Sequence, residues 1–331
     1  MTTPDATPFV ELGDDVLTLR CLRPDDAPAL LAGEDEDQVR WLNGGHRSEP
    51  ARTREWIEQN REQWRTGGAR RHLGVLHVAT GRLIGTVEAH LAMPGAPTGA
   101  VNISYAVFPA ARGHGYAACA VRLVCAWLAV ATAADTALIR VDAANTPSVR
   151  VARDAGFRAT GTDREGLVHH VRALRDAPHV ALVCGPAGAG KSTLAHRLAA
   201  LGAVHLSFDE DAWRLGHRTH PLPAHVADAL HADLRTRLVA LARQGRDVVV
   251  DTSFWSRASR TAYRELVRPY GVEPVTMHLA TPHAQVMDRL AARAGSGPHD
   301  VLVPPDLARR HLAGFEVPTR DEGPLVVLRA D

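Results

Sequence analysis

The sequence predicts an α/β fold in two consecutive domains, a mixed sheet with flanking helices followed by a parallel sheet with helices on both faces. Three observations carry that prediction. Strand-like and helix-like apolar patterns alternate through a chain of 331 residues, too long for one small core and suited to two domains of ordinary size. The run Val180-Ala181-Leu182-Val183-Cys184 passes through a glycine-rich stretch into an amphipathic segment with Leu194, Leu198 and Leu201 on its apolar face. Earlier, Val101 to Phe108 runs through a glycine-bearing turn into the apolar helix Ala118 to Leu128.

Composition excludes several classes. With 45% hydrophobic and 23% charged residues the chain is globular rather than disordered or membrane-spanning. A net charge of +1 offers no reason to expect nucleic acid or an anionic membrane as partner. The polar, acidic start carries no targeting signal, so a cytoplasmic protein is expected. Cys21, Cys119, Cys125 and Cys184 lie singly in apolar patterns, which reads as buried thiols rather than disulfides or zinc ligands. The 18 histidines include His217 and His220 in a proline-containing loop and His169-His170 on a strand, without ligand spacing for a metal.

In chain order, Met1 to Pro8 reads as a disordered lead-in. Val16 to Leu22 alternates as a strand, and Arg23-Pro24-Asp25-Asp26 opens a short helix through Leu31. Trp41 to Pro50 is a loop, and Glu55 to Trp64, rich in charge, is a solvated helix. Strands Leu73 to Val78 and Leu83 to Leu91 are separated by the turn Ala79-Thr80-Gly81-Arg82. Glu88, on the second of them, is a candidate general base if it faces a cleft and a plain strand carboxylate if it faces solvent. After Val101 to Phe108, the stretch Arg112-Gly113-His114-Gly115-Tyr116-Ala117 sets N–H groups at a helix N-terminus beside an arginine, where an anion is expected to bind. Ala137 to Val141 is a strand, Asn145-Thr146-Pro147-Ser148 opens a helix with proline at its first position, and Ala155-Gly156-Phe157 ends it.

These blocks resemble the GNAT superfamily of acetyltransferases over about Phe9 to Arg175. Arg112, Gly115 and Ala117 match its Q/R-x-x-G-x-G/A motif; Asn145, Ser148, Gly156 and Phe157 are similar to the branch that acetylates ribosomal-protein N-termini and some antibiotics. The resemblance implies acetyl-CoA as cofactor. It places the thioester carbonyl on backbone amides near Val107, where the strand splays from its neighbour, and the pyrophosphate on the amides of Gly113, His114, Gly115, Tyr116 and Ala117. It further places the pantetheine arm on Asn145 and makes Ser148 a candidate acid for the departing thiolate.

Leu167 to Leu174 reads as the last strand of a domain spanning 9–175, and Arg175-Asp176-Ala177-Pro178 as a linker short enough for the domains to touch. The second domain, 179–331, opens on the phosphate-loop pattern G-x-x-x-x-G-K-S/T, satisfied by Gly185, Pro186, Ala187, Gly188, Ala189, Gly190, Lys191 and Ser192, with Thr193 following. Glycine lets such a loop turn its N–H groups onto phosphate oxygens. Lys191 then reaches the β- and γ-phosphates of ATP and Ser192 ligates Mg²⁺. Among 38 basic residues Lys191 is the only lysine, a compact charge where a planar guanidinium would fit poorly.

Ala203 to Phe208 is a strand followed by Asp209, the candidate base for a substrate hydroxyl, with Asp211 in reserve or as cap of the next helix. His217 to Pro223 and the helix Ala224 to Ala242 are expected to form a lid, with Arg214 turned to the acceptor. Arg246 to Asp251 has the form of a buried strand ending in an acid, so Asp251 orients the Mg²⁺ water shell. Arg257 and Arg260 grip the acceptor or neutralise phosphate, unless Arg260 is a surface charge. Val272 to Leu279 is a strand, Gln285 to Arg293 a helix that runs into a Gly-Ser-Gly-Pro loop, and Leu325 to Leu328 the final strand. This order, from His179 onward, resembles the small-molecule kinases among P-loop proteins, such as chloramphenicol phosphotransferase and zeta toxins; the resemblance gives Arg289 and Arg293 the role of closing over the transferring phosphoryl group. The substrates implied are small molecules with amine and hydroxyl groups, as in detoxification of an antibiotic-like compound. Protein N-terminal acetylation with a nucleotide-sugar kinase, and an ATP site that only gates acetylation, remain open alternatives.

Overall fold

In the computed structural model, described for residues 9–175, 177–293 and 301–329, the chain divides into two compact units after Arg175. The expected lead-in 1–8, Asp176 of the linker and the Gly-Ser-Gly-Pro loop lie outside the described residues.

The first unit runs β1 (Phe9–Gly13), β2 (Leu17–Cys21), α1 (Ala27–Gly33), α2 (Glu36–Trp41), α3 (Pro50–Arg65), β3 (Arg70–His77), β4 (Leu83–His90) and β5 (Ala100–Val107). It continues through α4 (Tyr116–Ala131), β6 (Thr136–Asp142), α5 (Thr146–Asp154), β7 (Arg158–Thr162) and β8 (Leu167–Ala173). Its strands order β1-β2-β3-β4-β5-β6-β8-β7, antiparallel throughout except for the β5–β6 pair. The elements β1, α2 and β7 were not expected; β7 is exposed along its whole length and so shows no apolar alternation to read. The helix expected to be solvated is anchored instead: α3 buries Ile57 and Trp64 completely, and the Trp64 indole N–H donates to the His72 carbonyl at 3.1 Å. Its many charges occupy the remaining faces, which is why composition alone misread it.

The second unit runs β9 (Val180–Cys184), α6 (Lys191–Ala200), β10 (Val204–Ser207), α7 (Phe208–Arg214), α8 (Ala224–Arg243) and β11 (Val248–Asp251). There follow α9 (Arg257–Val267), β12 (Val275–Leu279), α10 (His283–Ala291), α11 (Pro305–Ala313), also unexpected, and β13 (Leu325–Arg329). Its strands order β10-β11-β9-β12-β13 and every pairing is parallel. A parallel sheet is buried on both faces, which is why β9 and β11 read as unbroken apolar runs. The order reverses at β9, and the carboxyl end of a strand at such a reversal is where open α/β sheets leave a ligand crevice. The expected lid helix, α8, sinks Leu230, Leu234 and Leu238 into the core, so it is a fixed wall and only the loop before it remains beside the crevice.

One buried ion pair secures the end of this unit. Arg260 is fully buried; its guanidinium forks onto Glu322 at 2.6 and 2.8 Å and donates to the carbonyls of Phe254 and Glu316 at 2.8 and 2.9 Å. It therefore neither grips an acceptor nor lies on the surface, contrary to both readings of the sequence: its donors are spent inside the fold. Burial raises the Glu322 carboxyl, but the Arg260 hydrogen bond and charge, with backbone support from Thr319, outweigh it and hold the group below its usual value of 4.5. Glu322 thus stabilises the fold above its unfolded value, and that share is lost as pH falls through the lower folded one. Arg260→Ala is expected to destabilise the second unit by about 3–5 kcal/mol in denaturant unfolding, because it leaves a buried carboxylate unpaired. Glu322→Gln should flatten the acid limb of the stability curve. A change within about 0.5 kcal/mol, the usual cost of a surface substitution, would refute the structural role.

Candidate functional site

In the first unit, β5 and β6 are paired only from Ala100 opposite Thr136 to Asn102 opposite Leu138. Further on, β5 stays with β4 as far as Val107 while β6 stays with β8 as far as Asp142, so the sheet opens between them on the Val107 side. The chain then turns through Gly113 and Gly115, at left-handed φ of 82° and 79°, into α4. A Cβ at either glycine meets nothing within 4 Å, so the backbone of this exposed turn is bare and its N–H groups precede a helix N-terminus. His114 stacks on Tyr116 at 5.3 Å, and Ala117 lies in the first turn. These features fit a pyrophosphate held by backbone amides. Arg112 does not add a free charge to them. Its Nε donates to the Val107 carbonyl at 3.0 Å and its terminal nitrogens fork onto Asp35 at 2.6 and 2.9 Å, so Arg112 ties the turn to the cap of α2 instead.

Asn145 caps α5, accepting from the Ser148 N–H at 3.2 Å. The Ser148 hydroxyl lies 2.8 Å from that of Tyr105, which also donates to the Ser148 carbonyl at 3.1 Å. Burial, only partly offset by Ser148, pushes the Tyr105 phenol up to about 12, so it stays protonated. Tyr105 lines a cleft of about 490 Å³ together with Trp56, His72 and Glu88, and the glutamates Glu34, Glu49 and Glu88 of its wall are matched by Arg47, Arg52 and Arg70. Glu88 Oε2 lies 2.8 Å from His72 Nδ1 and 3.9 Å from Arg70. Burial raises the Glu88 carboxyl, but the hydrogen bond and charge of His72, with Arg70, hold it below its usual 4.5. The cleft thus presents an ionised carboxylate, suited to a cationic amine.

In the second unit, the loop after β9 turns at Gly185, Gly188 and Gly190, with φ of 155°, 83° and 100°. A Cβ on Gly188 would stand 3.0 Å from the Val286 carbonyl and Leu290, so the loop can lie this close to α10 only without a side chain there. Gly190 caps α6, which begins with Lys191, Ser192 and Thr193. Lys191 Nζ donates to the Pro186 carbonyl at 3.1 Å and so spans the loop, while Ala187 packs on the cluster of Val286 and Leu290. Arg289 Nη1 lies 3.4 Å from the carbonyls of Gly188 and Ala189. Asp251 ends β11 at 4% exposure, and its Oδ2 lacks a hydrogen-bond partner. A buried carboxylate oxygen of this kind, on a strand that packs against α6, fits the hydration shell of a magnesium ion.

Asp209 lies in the first turn of α7 and not at a strand end, because Ser207 caps that helix by accepting from the Glu210 N–H. Its Oδ1 is 3.1 Å from His220 Nε2. Burial raises the carboxyl, yet the hydrogen bond and charge of His220, followed by the charges of Lys191 and Arg293, bring it below its usual 3.8. Arg293 Nη1 donates to the Val301 carbonyl at 2.6 Å. Asp211, expected as cap or reserve base, is buried and pairs with Arg214 and Arg237, so it is committed to packing α7 on α8. Arg214 and Arg257 remain more than half exposed, each touching a carboxylate, Asp211 and Asp321 respectively.

Residues 16–158 match the family model of the acetyltransferase (GNAT) domain, and residues 180–318 that of the AAA domain. The chain joins a GNAT domain to an AAA-type P-loop domain. No curated protein matches it. Among solved structures it is similar to a ribosomal-protein-S5-alanine acetyltransferase from Vibrio fischeri, at 16% identity over 50% of this chain and 97% of that one, with a TM-score of 0.44. It is also similar to RimJ of Mycobacterium smegmatis in complex with CoA-disulfide, at 21% identity over 60% of this chain and 95% of that one, TM-score 0.43. An aminoglycoside acetyltransferase in complex with coenzyme A is 18% identical over 47% and 94%, TM-score 0.39.

Three members of these sites escaped the sequence reading. In the GNAT domain, His72 and Tyr105 sit on strands β3 and β5, where each looks like any half-buried strand residue until Glu88 and Ser148 are placed beside it. In the AAA domain, His220 lies in a loop 11 residues from its partner Asp209, and no spacing rule joins them. Carboxyl titration by NMR is expected to place Glu88 below 4.5. In His72→Ala the value should rise, since the raising effect of burial stays while the main lowering partner is gone. An unmoved Glu88 would show that the pair does not set its ionisation.

Proposed function

We propose that the chain is a bifunctional enzyme, in which residues 9–175 transfer an acetyl group from acetyl-CoA to a small-molecule amine and residues 179–331 transfer a phosphoryl group from Mg²⁺-ATP to a small-molecule hydroxyl. One observation supports both halves. Each unit sets a glycine turn at a helix N-terminus and, separately, a carboxylate kept ionised by a histidine, Glu88 with His72 at 2.8 Å and Asp209 with His220 at 3.1 Å.

In the GNAT half, bound acetyl-CoA supplies an activated acetyl group. The turn amides from Gly113 to Ala117 bind its pyrophosphate and the opened strand edge near Val107 orients its thioester. Glu88 offers the ammonium form of the amine a local carboxylate partner, while Arg47, Arg52 and Arg70 balance the acids of the cleft wall as a whole. A nucleophilic amine must first lose a proton, and Glu88 with His72 receives it directly or through water. The Ser148 hydroxyl gives its proton to the thiolate leaving group and is reprotonated by the neutral Tyr105 phenol 2.8 Å away, which turns from the Ser148 carbonyl and recovers its own proton from water.

In the AAA half, the nucleotide supplies the phosphoryl group, and the protein positions and neutralises it. Lys191 and the loop amides carry the phosphates, Ser192 and Asp251 hold Mg²⁺ with its water, and Arg289 and Arg293 balance charge on the transferring group. Asp209 orients the acceptor hydroxyl and takes its proton, with His220 holding the carboxylate in place. Acetylation removes a positive charge and phosphorylation adds about two negative ones. Both change how an antibiotic-like amine binds its target, which supports a detoxifying role without nucleic acid or membrane partners. Among the described residues no helix is long and apolar enough to cross a membrane.

A mass-spectrometric screen of amino- and hydroxyl-bearing small molecules with both cofactors is the direct test; gain of neither group on any of them would overturn the reading. Lys191→Ala is expected to abolish phosphoryl transfer and leave acetyl-CoA affinity within about twofold, whereas Gly115→Glu should do the reverse, through a repelling charge where the pyrophosphate lies. Equal loss of both functions in either folded variant would refute two separate sites. Asp209→Asn should lower kinase turnover by roughly 10²–10⁴-fold at unchanged ATP affinity, the usual worth of a general base. Loss of affinity with turnover preserved would move Asp209 from base to nucleotide ligand.

A further inference from the structure

Beside the crevice of the second unit, three side chains from three elements converge: His196 of α6, His205 of β10 and Glu210 of α7. Their potential ligand atoms all lie within 4.8 Å of one another. His196 Nε2 and His205 Nδ1 each stand 3.4 Å from Glu210 Oε1. For a tetrahedral zinc site with bonds of about 2.0–2.1 Å, neighbouring ligand atoms are separated by about 3.3–3.4 Å. Two edges of the cluster already have that length.

The outer nitrogens support the same assignment. A metal-bound histidine characteristically donates its other ring N–H to a carbonyl or a carboxylate, which fixes the tautomer and leaves the lone pair on the nitrogen that faces the metal. His196 Nδ1 lies 2.6 Å from the Ser192 carbonyl, an acceptor only, so in the neutral ring the proton is on Nδ1 and the lone pair on Nε2, the atom facing Glu210. His205 is reversed: its Nε2 points toward Asp251 Oδ2 at 3.5 Å, and its Nδ1 faces Glu210. Both His205 Nε2 and Asp251 Oδ2 are buried without a hydrogen-bond partner, and Asp251 is only 4% exposed. With a metal ion on Nδ1, the proton of His205 must reside on Nε2, and a small shift makes it a donor to Asp251.

We propose that His196 Nε2, His205 Nδ1 and Glu210 Oε1 form a binding site for one zinc-class divalent ion, distinct from the magnesium position at Ser192. Water completes the coordination, since His196 is 48% exposed and leaves the cluster open on its side. The ion clips together the helix that starts with Lys191 and the helix that carries Asp209, and it sets the proton of His205 toward Asp251. Two histidines and one carboxylate with a water in the fourth position make an exchangeable site rather than a closed structural one. The sequence hides it: the three ligands come from separate elements and show no ligand spacing.

The test uses the full chain freed of metal by chelation and titrated with Zn²⁺ or Co²⁺. Expected are one tight equivalent of Zn²⁺, a rise in melting temperature on loading, and the intense visible absorption of tetrahedral Co²⁺. His196→Ala, which alters an exposed side chain and should fold normally, and Glu210→Gln should each weaken the tight equivalent by more than about tenfold and remove the Co²⁺ band. Binding unchanged in both variants would assign the metal to other histidines and overturn the site. Absence of a tight equivalent in the unmodified chain would overturn it too. The readouts are independent of acetyl or phosphoryl transfer.

Discussion

A glycine turn through left-handed φ that leads into a helix N-terminus gathers backbone N–H groups onto an anion, and both units are arranged around a turn of that kind. At Gly185, Gly188 and Gly190 the turn follows a strand buried on both faces, so the sheet fixes where the loop begins and α6 fixes where it ends. At Gly113 and Gly115 it follows β5, at the point where β5 has left β6. The two loops differ in how glycine is required. Gly188 is pressed against α10, so a side chain there collides with packed backbone; Gly115 faces open space, so a side chain there meets only the strain of its φ and whatever binds to the turn.

Charge around these turns is allotted by pairing rather than by proximity. Arg112 and Arg260 both sit near a site in sequence, yet Asp35 and Glu322 take their donors and make them struts. Where a carboxylate is instead held by a histidine, as in Glu88 with His72 and Asp209 with His220, it keeps acceptor capacity and can serve a ligand. Both carboxyls feel burial, which raises their pKa, and in both the neighbouring positive groups outweigh it. Such groups are ionised at neutral pH and act by orienting a donor as much as by accepting its proton.

The helix α7 shows how one short element can serve several ends. Its first turn carries Asp209 toward the crevice, Glu210 toward His196 and His205, and Asp211 toward Arg237. Three consecutive acids on a helix diverge by about 100° each, so each reaches a different neighbourhood. The negative charge also suits a helix N-terminus.

What the sequence determined by itself is local: the β9 strand, the glycine loop and the helix behind it, the GNAT turn before α4, and the acid that closes β11. These are contiguous motifs whose apolar period and glycine placement allow few other conformations. β7, exposed along its whole length, carries no such signal and came only with the fold, while β1, α2 and α11 are so short that their apolar positions and caps do not stand out until neighbours support them. The site partners were decided by tertiary structure alone. Tyr105 meets Ser148 across 43 residues and Arg260 meets Glu322 across 62. Hydrogen bonds and ion pairs act over a few ångströms in space and carry no trace of separation along the chain, so only the packed sheet and helices could show which charge is a strut and which faces a ligand.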